Sequence, residues 1–351
     1  MPNRIRGERA HVSRAKRRFP VYIGSANGRQ EGEGDVRLRS IQAGACVAVA
    51  ATISLFSTAV VAGGSSVAPL GRLQPPSNAH VQEELRRIHR EATSLPQRVE
   101  AISQLFLGVP YKLGALGEGL DGEFDRDPLI RFDAFDCTTF VETVMALSLD
   151  SDLDLATRTL QKIRYRDGQI GYATRNHFVE LDWVPNNVRA GYLRDITSDV
   201  AGRNAVNVHK TISKRKWYLR KTLAGLQGGI PEVGKRQLLF KLQHLGRSFP
   251  AKQATLTVLP LKALPQALAR IPSGTIANLV HADQRYRDTI VSHQVFLIRK
   301  SDGWYVRHAA SDKAVEDDPI GILVRNGDPR WRLIGLNLNA LHAPASENAS
   351  R

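Results

Sequence analysis

The sequence predicts an α+β domain in which a buried helix packs on an antiparallel sheet. Three observations lead there. Apolar residues recur at helical spacing from Val81 to Leu107, and Cys137 to Leu149 is a buried-helix pattern carried by Phe140, Val141, Val144, Met145 and Leu147. Later the period changes to that of strands: HQVFLIRK and GWYVRHAA flank Lys300-Ser301-Asp302-Gly303 like the arms of a hairpin. Helices first and an antiparallel sheet afterwards is the order of an α+β fold.

Taken in order, residues 1–40 are Arg- and Gly-rich without helical period, and read as a disordered basic N-terminus. Ile41 to Ala62 carries no charge and has the length of a membrane-spanning helix, with basic residues before it. TAVVAGG offers a small-x-small cleavage site after Ala62. The forty residues ahead of the run are long for a signal peptide, so a cleaved signal and an uncleaved anchor both stay open. Cys46 begins the run, whereas a lipidated cysteine would end it. Residues 63–80 are Gly-, Pro- and Ser-rich and read as a linker. Two short helices follow, interrupted at Pro96. Asp136 stands as N-cap of the helix that starts at Cys137. The stretch 204–259 is helix-like, basic and Gln-rich, and about 203–254 reads as an insertion presenting a solvated helical face or a contact for an anionic surface. A single domain is thus expected over 81–341, with a frayed tail at 342–351.

The net charge of +15 needs a partner class: nucleic acid, anionic membrane or an acidic polymer such as a cell wall. The first forty residues hold ten Lys and Arg against four Asp and Glu, so part of the excess lies outside the domain and the rest is spread along it. No nucleic-acid-reading module is recognisable and the export segment opposes one, so no specific nucleic-acid partner is expected; a membrane partner is possible through 41–62. Cys46 and Cys137 are the two cysteines, with no C-x-x-C knuckle and no H-E-x-x-H, so neither disulfide framework, metal nor cofactor is called for.

Cys137 falls in the first turn of its helix, where unpaired N–H groups and the macrodipole favour a thiolate. A thiolate nucleophile needs a base, most often histidine. His293 and His308 lie on the two hairpin arms. A loop of two or four residues centred near Lys300-Ser301 would make them direct cross-strand neighbours, and a three-residue loop would put them on opposite faces. His177, in RNHFVELDW, is the competing base. A lone cysteine at a helix start is more often a small buried hydrophobe, and paired hairpin histidines arise by chance, so these features alone are suggestive only.

The ordered set FLGVPYKLG, FDCTTFVE, IRYRDGQIGYATRNHFVELDW, VSHQVFLI and VRHAAS resembles the N-acetylmuramoyl-L-alanine amidase-like (DUF1460) family of the NlpC/P60 papain-like cysteine hydrolases. The resemblance spans about residues 101–311, except the basic stretch. It implies a papain-like α+β fold, Cys137 as nucleophile, His293 as base and His308 as the third, orienting residue. Tyr111 of VPYKLG matches a tyrosine near the thiol. Arg175, Asn176, His177 and Asp182 match the family's other strong motif and are expected to line the groove, unless His177 and Asp182 instead bond each other to pin a loop. Two departures stand out: Gln294-Val295 replaces the usual Val-Gly after the base, and Ser273-Gly274-Thr275 replaces a Gly-Asp lead-in. The implied substrate is peptidoglycan or a muropeptide, cut between muramic acid and L-alanine. A γ-D-glutamyl-diamino acid endopeptidase and an inactive wall-binding protein are the alternatives, and the implied location is periplasm or cell envelope.

Overall fold

The computed structural model describes residues 78–325 and 330–344. The expected basic N-terminus, the apolar run 41–62, most of the linker and the end of the tail lie outside the described residues. No helix among the described residues is long and apolar enough to cross a membrane.

Helix α1 (Asn78–Glu91) already includes the last three residues assigned to the linker. The break before α2 (Leu95–Leu105) falls at 92–94 rather than at Pro96, which sits in the first turn of α2, where its missing N–H is one no helix can use. Helix α3 (Cys137–Leu149) has the predicted bounds. It is buried almost all round, and its one charged side chain, Glu142, pairs with Arg164 at 2.7 Å. Helix α4 (Leu153–Arg164) turns back against it after a three-residue loop.

Short elements follow: α5 (Val184–Arg189), β1 (Leu193–Asp195), α6 (Thr197–Ala201), β2 (Val206–Ile212), α7 (Lys214–Leu219), α8 (Lys235–Leu245) and β3 (Lys252–Pro260). The remaining strands are β4 (Thr275–His281), β5 (Val291–Lys300), β6 (Gly303–Ala309), β7 (Val315–Pro319) and β8 (Leu333–Leu341). All eight strands form one antiparallel sheet ordered β2-β3-β8-β4-β5-β6-β7, with β1 also on β8. The α+β expectation holds.

The sheet separates two cores. Ile276, Val280, Phe296 and Ile298 share one with α1 to α4. Ala277, Leu279, Val295 and Leu297, on the other alternation, pack with α6 and residues 261–271. A third cluster gathers Tyr172, Phe178, Trp217, Tyr218 and Leu242.

The helical reading of 204–259 is overturned in part. Val206 to Ile212 pairs residue for residue with Val258 to Lys252, so both ends of the stretch are strands. Its lysines and glutamines carry little preference for either state, and pairing onto the sheet decides. The helices between those strands bury Trp217, Tyr218 and Leu242, so the insertion is a packed subdomain and not merely a solvated face. His342, placed in the frayed tail, is held by its N–H to Tyr192 O at 2.9 Å.

The β5–β6 turn also differs. Lys300 pairs with Gly303 across a two-residue Ser301-Asp302 turn. The register then runs to Phe296↔Arg307, and one further step sets His308 opposite Val295. His293 therefore stands two residues past direct opposition: a diagonal neighbour on the same face. The turn is centred one residue later than expected because Gly303 takes φ +145°, a region other residues avoid.

Candidate active site

The site grows from the start of α3. Asp136 Oδ1 accepts the Thr139 N–H at 2.8 Å, and its Oδ2 accepts the Gly114 N–H at 3.0 Å. One carboxylate thus caps the helix and ties it to the 111–114 loop. Gly114 has φ +66° and tolerates that approach. Cys137 follows, 2% exposed. The Gln294 main-chain N–H is directed at its sulfur, and the Thr138 hydroxyl lies 4.0 Å away.

These donors do not prevail. Burial, then the neighbouring Asp136 charge, push the Cys137 thiol up to about 12. The thiolate expected from the helix terminus is replaced by a protonated resting thiol, because exclusion of water costs the charged form more than the local dipoles return.

His293, which lines the same cleft as the thiol, begins a polarised relay. His293 Nε2 lies 2.7 Å from His308 Nδ1, and His308 Nε2 lies 3.3 Å from Asp318 Oδ2. A carboxylate only accepts, so His308 donates from Nε2 and offers the lone pair of Nδ1. His293 then donates from Nε2 and keeps its lone pair on Nδ1. Burial, with His308 adding to it, lowers His293 well below the usual imidazole value, so it rests neutral. A bulge at Ser292 precedes His293: Leu279 pairs with His293 but Val280 with Val291. Bulges re-aim side chains in this way. His308, Glu316 and Asp318 also bring ligand atoms within 4.8 Å of one another, which makes them a group able to hold a metal ion.

Cys137, His293 and Gln294 share a cleft with Arg175, Asn176 and His177. Trp217 and Lys221 of the insertion also line it. Lys221 Nζ lies 3.4 Å from the Trp217 ring centroid, and burial beside the Arg175 guanidinium lowers it to about 7.

The remaining predicted residues divide. Tyr111 stands near enough for the Cys137 and Asp136 charges to raise its hydroxyl further, after burial. Arg175 lines the cleft but is spent on Asp125 at 2.7 Å and Glu118 at 3.1 Å. Asn176 donates to Ile163 O at 3.0 Å, which makes it a scaffold contact. His177 is not tied to Asp182. Its Nε2 donates to Tyr172 O at 2.8 Å, and its ring lies between Tyr172 and Trp217, each 4.6 Å away. Asp182 does not line the cleft; it pairs with Lys214 at 2.7 Å and accepts the Phe178 N–H. Sequence reasoning missed Asp318, Trp217 and Lys221. Asp318 had one signal available: it is two residues past Glu316, the strand partner of His308.

A family model, AmiA-like (N-acetylmuramoyl-L-alanine amidase-like), matches residues 101–327, which include the thiol and the whole relay. The chain belongs to this amidase-like family. Among solved structures, a DUF1460-family protein from Legionella pneumophila is similar at 26% identity and TM-score 0.70, over 76% of this chain and 96% of that one. An N-acetylmuramoyl-L-alanine amidase from Bacteroides uniformis is similar at 25% identity and TM-score 0.55, over 71% and 99%. A Bacteroides fragilis protein carrying the name xylanase is similar at 27% identity and TM-score 0.52, over 68% and 99%. No curated protein matches.

Proposed function

We propose that this AmiA-like chain is a peptidoglycan N-acetylmuramoyl-L-alanine amidase that works through the Cys137 thiol on a papain-like NlpC/P60 fold. The observation that carries the reading is the relay that leaves a lone pair on His293 Nδ1 in the cleft that holds a buried thiol. Both groups rest neutral. The proton therefore passes from Cys137 Sγ to His293 Nδ1 as sulfur adds to the amide carbonyl. The oxyanion takes N–H donors at the start of α3. The intermediate collapses, the C–N bond breaks, and His293 returns the proton to the departing L-alanine nitrogen. Water then loses a proton to His293 and adds to the thioester, releasing the lactyl carboxylate and restoring the thiol.

A glycosidase needs two available carboxylates flanking the bond. Here Asp125, Glu142 and Asp288 are paired with Arg175, Arg164 and Arg220, and Asp136 caps a helix, so the amide reading is favoured over the one suggested by the xylanase name. Action in the periplasm or envelope, by way of residues 41–62, belongs to the same proposal. The test is mass spectrometry of purified muropeptides incubated with the protein and with Cys137→Ala. Free peptide released from the sugar, and lost in the variant, is the expected result. Cleavage between D-glutamate and the diamino acid would make it an endopeptidase instead. Activity retained by Cys137→Ala, or none from folded protein, would sink the proposal, the latter in favour of a wall-binding role.

A further inference from the structure

Four side-chain amides lie where the pattern calls for apolar residues. Gln294 on β5, Asn278 on β4, and Asn337 and Asn339 on β8 are each at most 1% exposed. Gln294 and Asn278 share a sheet face with Phe296, Ile276 and Val280, residues of the core shared with α3. Such groups are costly to bury and persist where something needs them.

Three of them form a ladder across the sheet. Gln294 Nε2 donates to Asn278 Oδ1 at 3.0 Å, and Asn278 Nδ2 donates to Asn337 Oδ1 at 2.9 Å. Asn337 Nδ2 donates to Asp195 Oδ2 and to the Thr257 main-chain carbonyl, each at 3.0 Å, and to Thr197 Oγ1 at 3.2 Å. An amide can face either way, but a carboxylate and a carbonyl can only accept. Together they fix Asn337, which fixes Asn278, which fixes Gln294. Asp195 lies three strand spacings from β5, about 15 Å.

The near end of the ladder, Gln294, lines the cleft with Cys137, and its main-chain N–H favours charge on that sulfur. We propose that Gln294 is a positioning residue for the thiol: the amide ladder, with its direction set at the far end by Asp195 and the Thr257 carbonyl, holds the Gln294 main-chain N–H on Cys137 Sγ. Residues 293 and 294 point to opposite sheet faces. Each is held by a one-way hydrogen-bond chain, ending in Asp318 for the base and in Asp195 and the Thr257 carbonyl for the donor. With the donor in place, charge developing on sulfur meets an N–H that needs no rearrangement.

The inference rests on Cys137 being a reactive thiol, not on which bond is cut, so the readout is alkylation rather than turnover. Iodoacetamide is reacted with the full-length protein at pH 8 to 10, and Cys137 is followed apart from Cys46 by peptide mass spectrometry. Gln294→Val removes the first rung. Asn278→Leu removes the second and leaves Gln294 itself in place. The expected result is a slower Cys137 reaction in both, about tenfold in Gln294→Val and several-fold in Asn278→Leu, with unfolding midpoints in urea recorded alongside. A merely structural ladder would loosen β5, expose the sulfur and speed its reaction. Rates unchanged or raised in both variants would overturn the proposal, whatever the muropeptide assay returns.

Discussion

His293 Nε2 and His308 Nδ1 lie 2.7 Å apart with their rings at 90°, although the two residues are diagonal rather than opposite across the β5–β6 hairpin. The offset lets one imidazole donate edge-on to the lone pair of the other, and it leaves His308 Nε2 facing Asp318 on the next strand. The order of donors is then forced from the carboxylate inward.

Asp318→Asn tests that order. An asparagine can present its N–H₂ to His308, which would then donate from Nδ1 and leave His293 protonated on the nitrogen meant to accept the thiol proton. By comparison with a buried triad carboxylate made neutral, kcat is expected to fall by roughly 10² to 10⁴ while the fold persists. His308→Ala, which removes the orienting ring, is expected to fall in the same range. Steady-state kinetics on a muropeptide decide it, and an Asp318→Asn variant with unaltered kcat would exclude the relay.

The pH profile follows from the two resting states. Burial lowers His293 well below the usual imidazole value, so it stays unprotonated, and able to act as base, further into acid than an ordinary histidine. The Cys137 thiol at about 12 keeps its transferable proton throughout the neutral range. The acid limb of kcat/KM is therefore expected below pH 6.5, with no basic limb attributable to the thiol before about pH 10. Folding stability carries the same sign for this group. The unfolded histidine takes up a proton on falling through pH 6.5 and the folded one resists, so the His293 contribution is complete above that pH and is lost as pH falls further.

Arg175 separates a binding role from a structural one. Its guanidinium faces two buried carboxylates, Asp125 and Glu118, and lies 5.1 Å from the Tyr172 ring. Arg175→Met strands both acids, and the expected cost is about 3–5 kcal/mol in urea unfolding. Loss of stability with KM little changed in the remaining folded protein would fit the structure. A raised KM at unchanged stability would return Arg175 to the substrate.

Some of this was legible in the sequence, for physical reasons. Cys137 to Leu149 carries a single charge, Glu142, among apolar and small residues and starts after a capping Asp, so both its bounds and its burial could be read. The hairpin arms alternate cleanly, but any residue from Lys300 to Gly303 accepts a turn, and the diagonal offset depends on which pair closes it. Strand β7 was hidden because VEDDP is acidic and has poor strand propensity, and Asp318 was hidden with it. The partners of Arg175 lie 50 and 57 residues away in a loop, beyond the reach of any local period. The protonated thiol was unreadable for another reason: a helix start announces its dipoles, whereas the closure of the surrounding cleft is a tertiary fact.

The insertion supplies the last test. Trp217 lies 5.4 Å from Phe178 and 5.1 Å from Tyr218, beside His177 and under the Lys221 ammonium. It belongs to the third cluster, apart from the two cores that flank the sheet and hold α3. Trp217→Ala is thus expected to cost about 3–5 kcal/mol, as large-to-small changes at buried aromatics do, with the loss falling on the insertion. The cleft wall would slacken while Cys137, His293 and His308 keep their places. KM is expected to rise at least tenfold with kcat within about threefold, and Trp217→Phe, which keeps an aromatic face for His177 and Lys221, is expected to recover most of it. Equal falls in kcat and kcat/KM would show instead that the insertion supports the transition state, and would move it from the wall of the cleft to the chemistry.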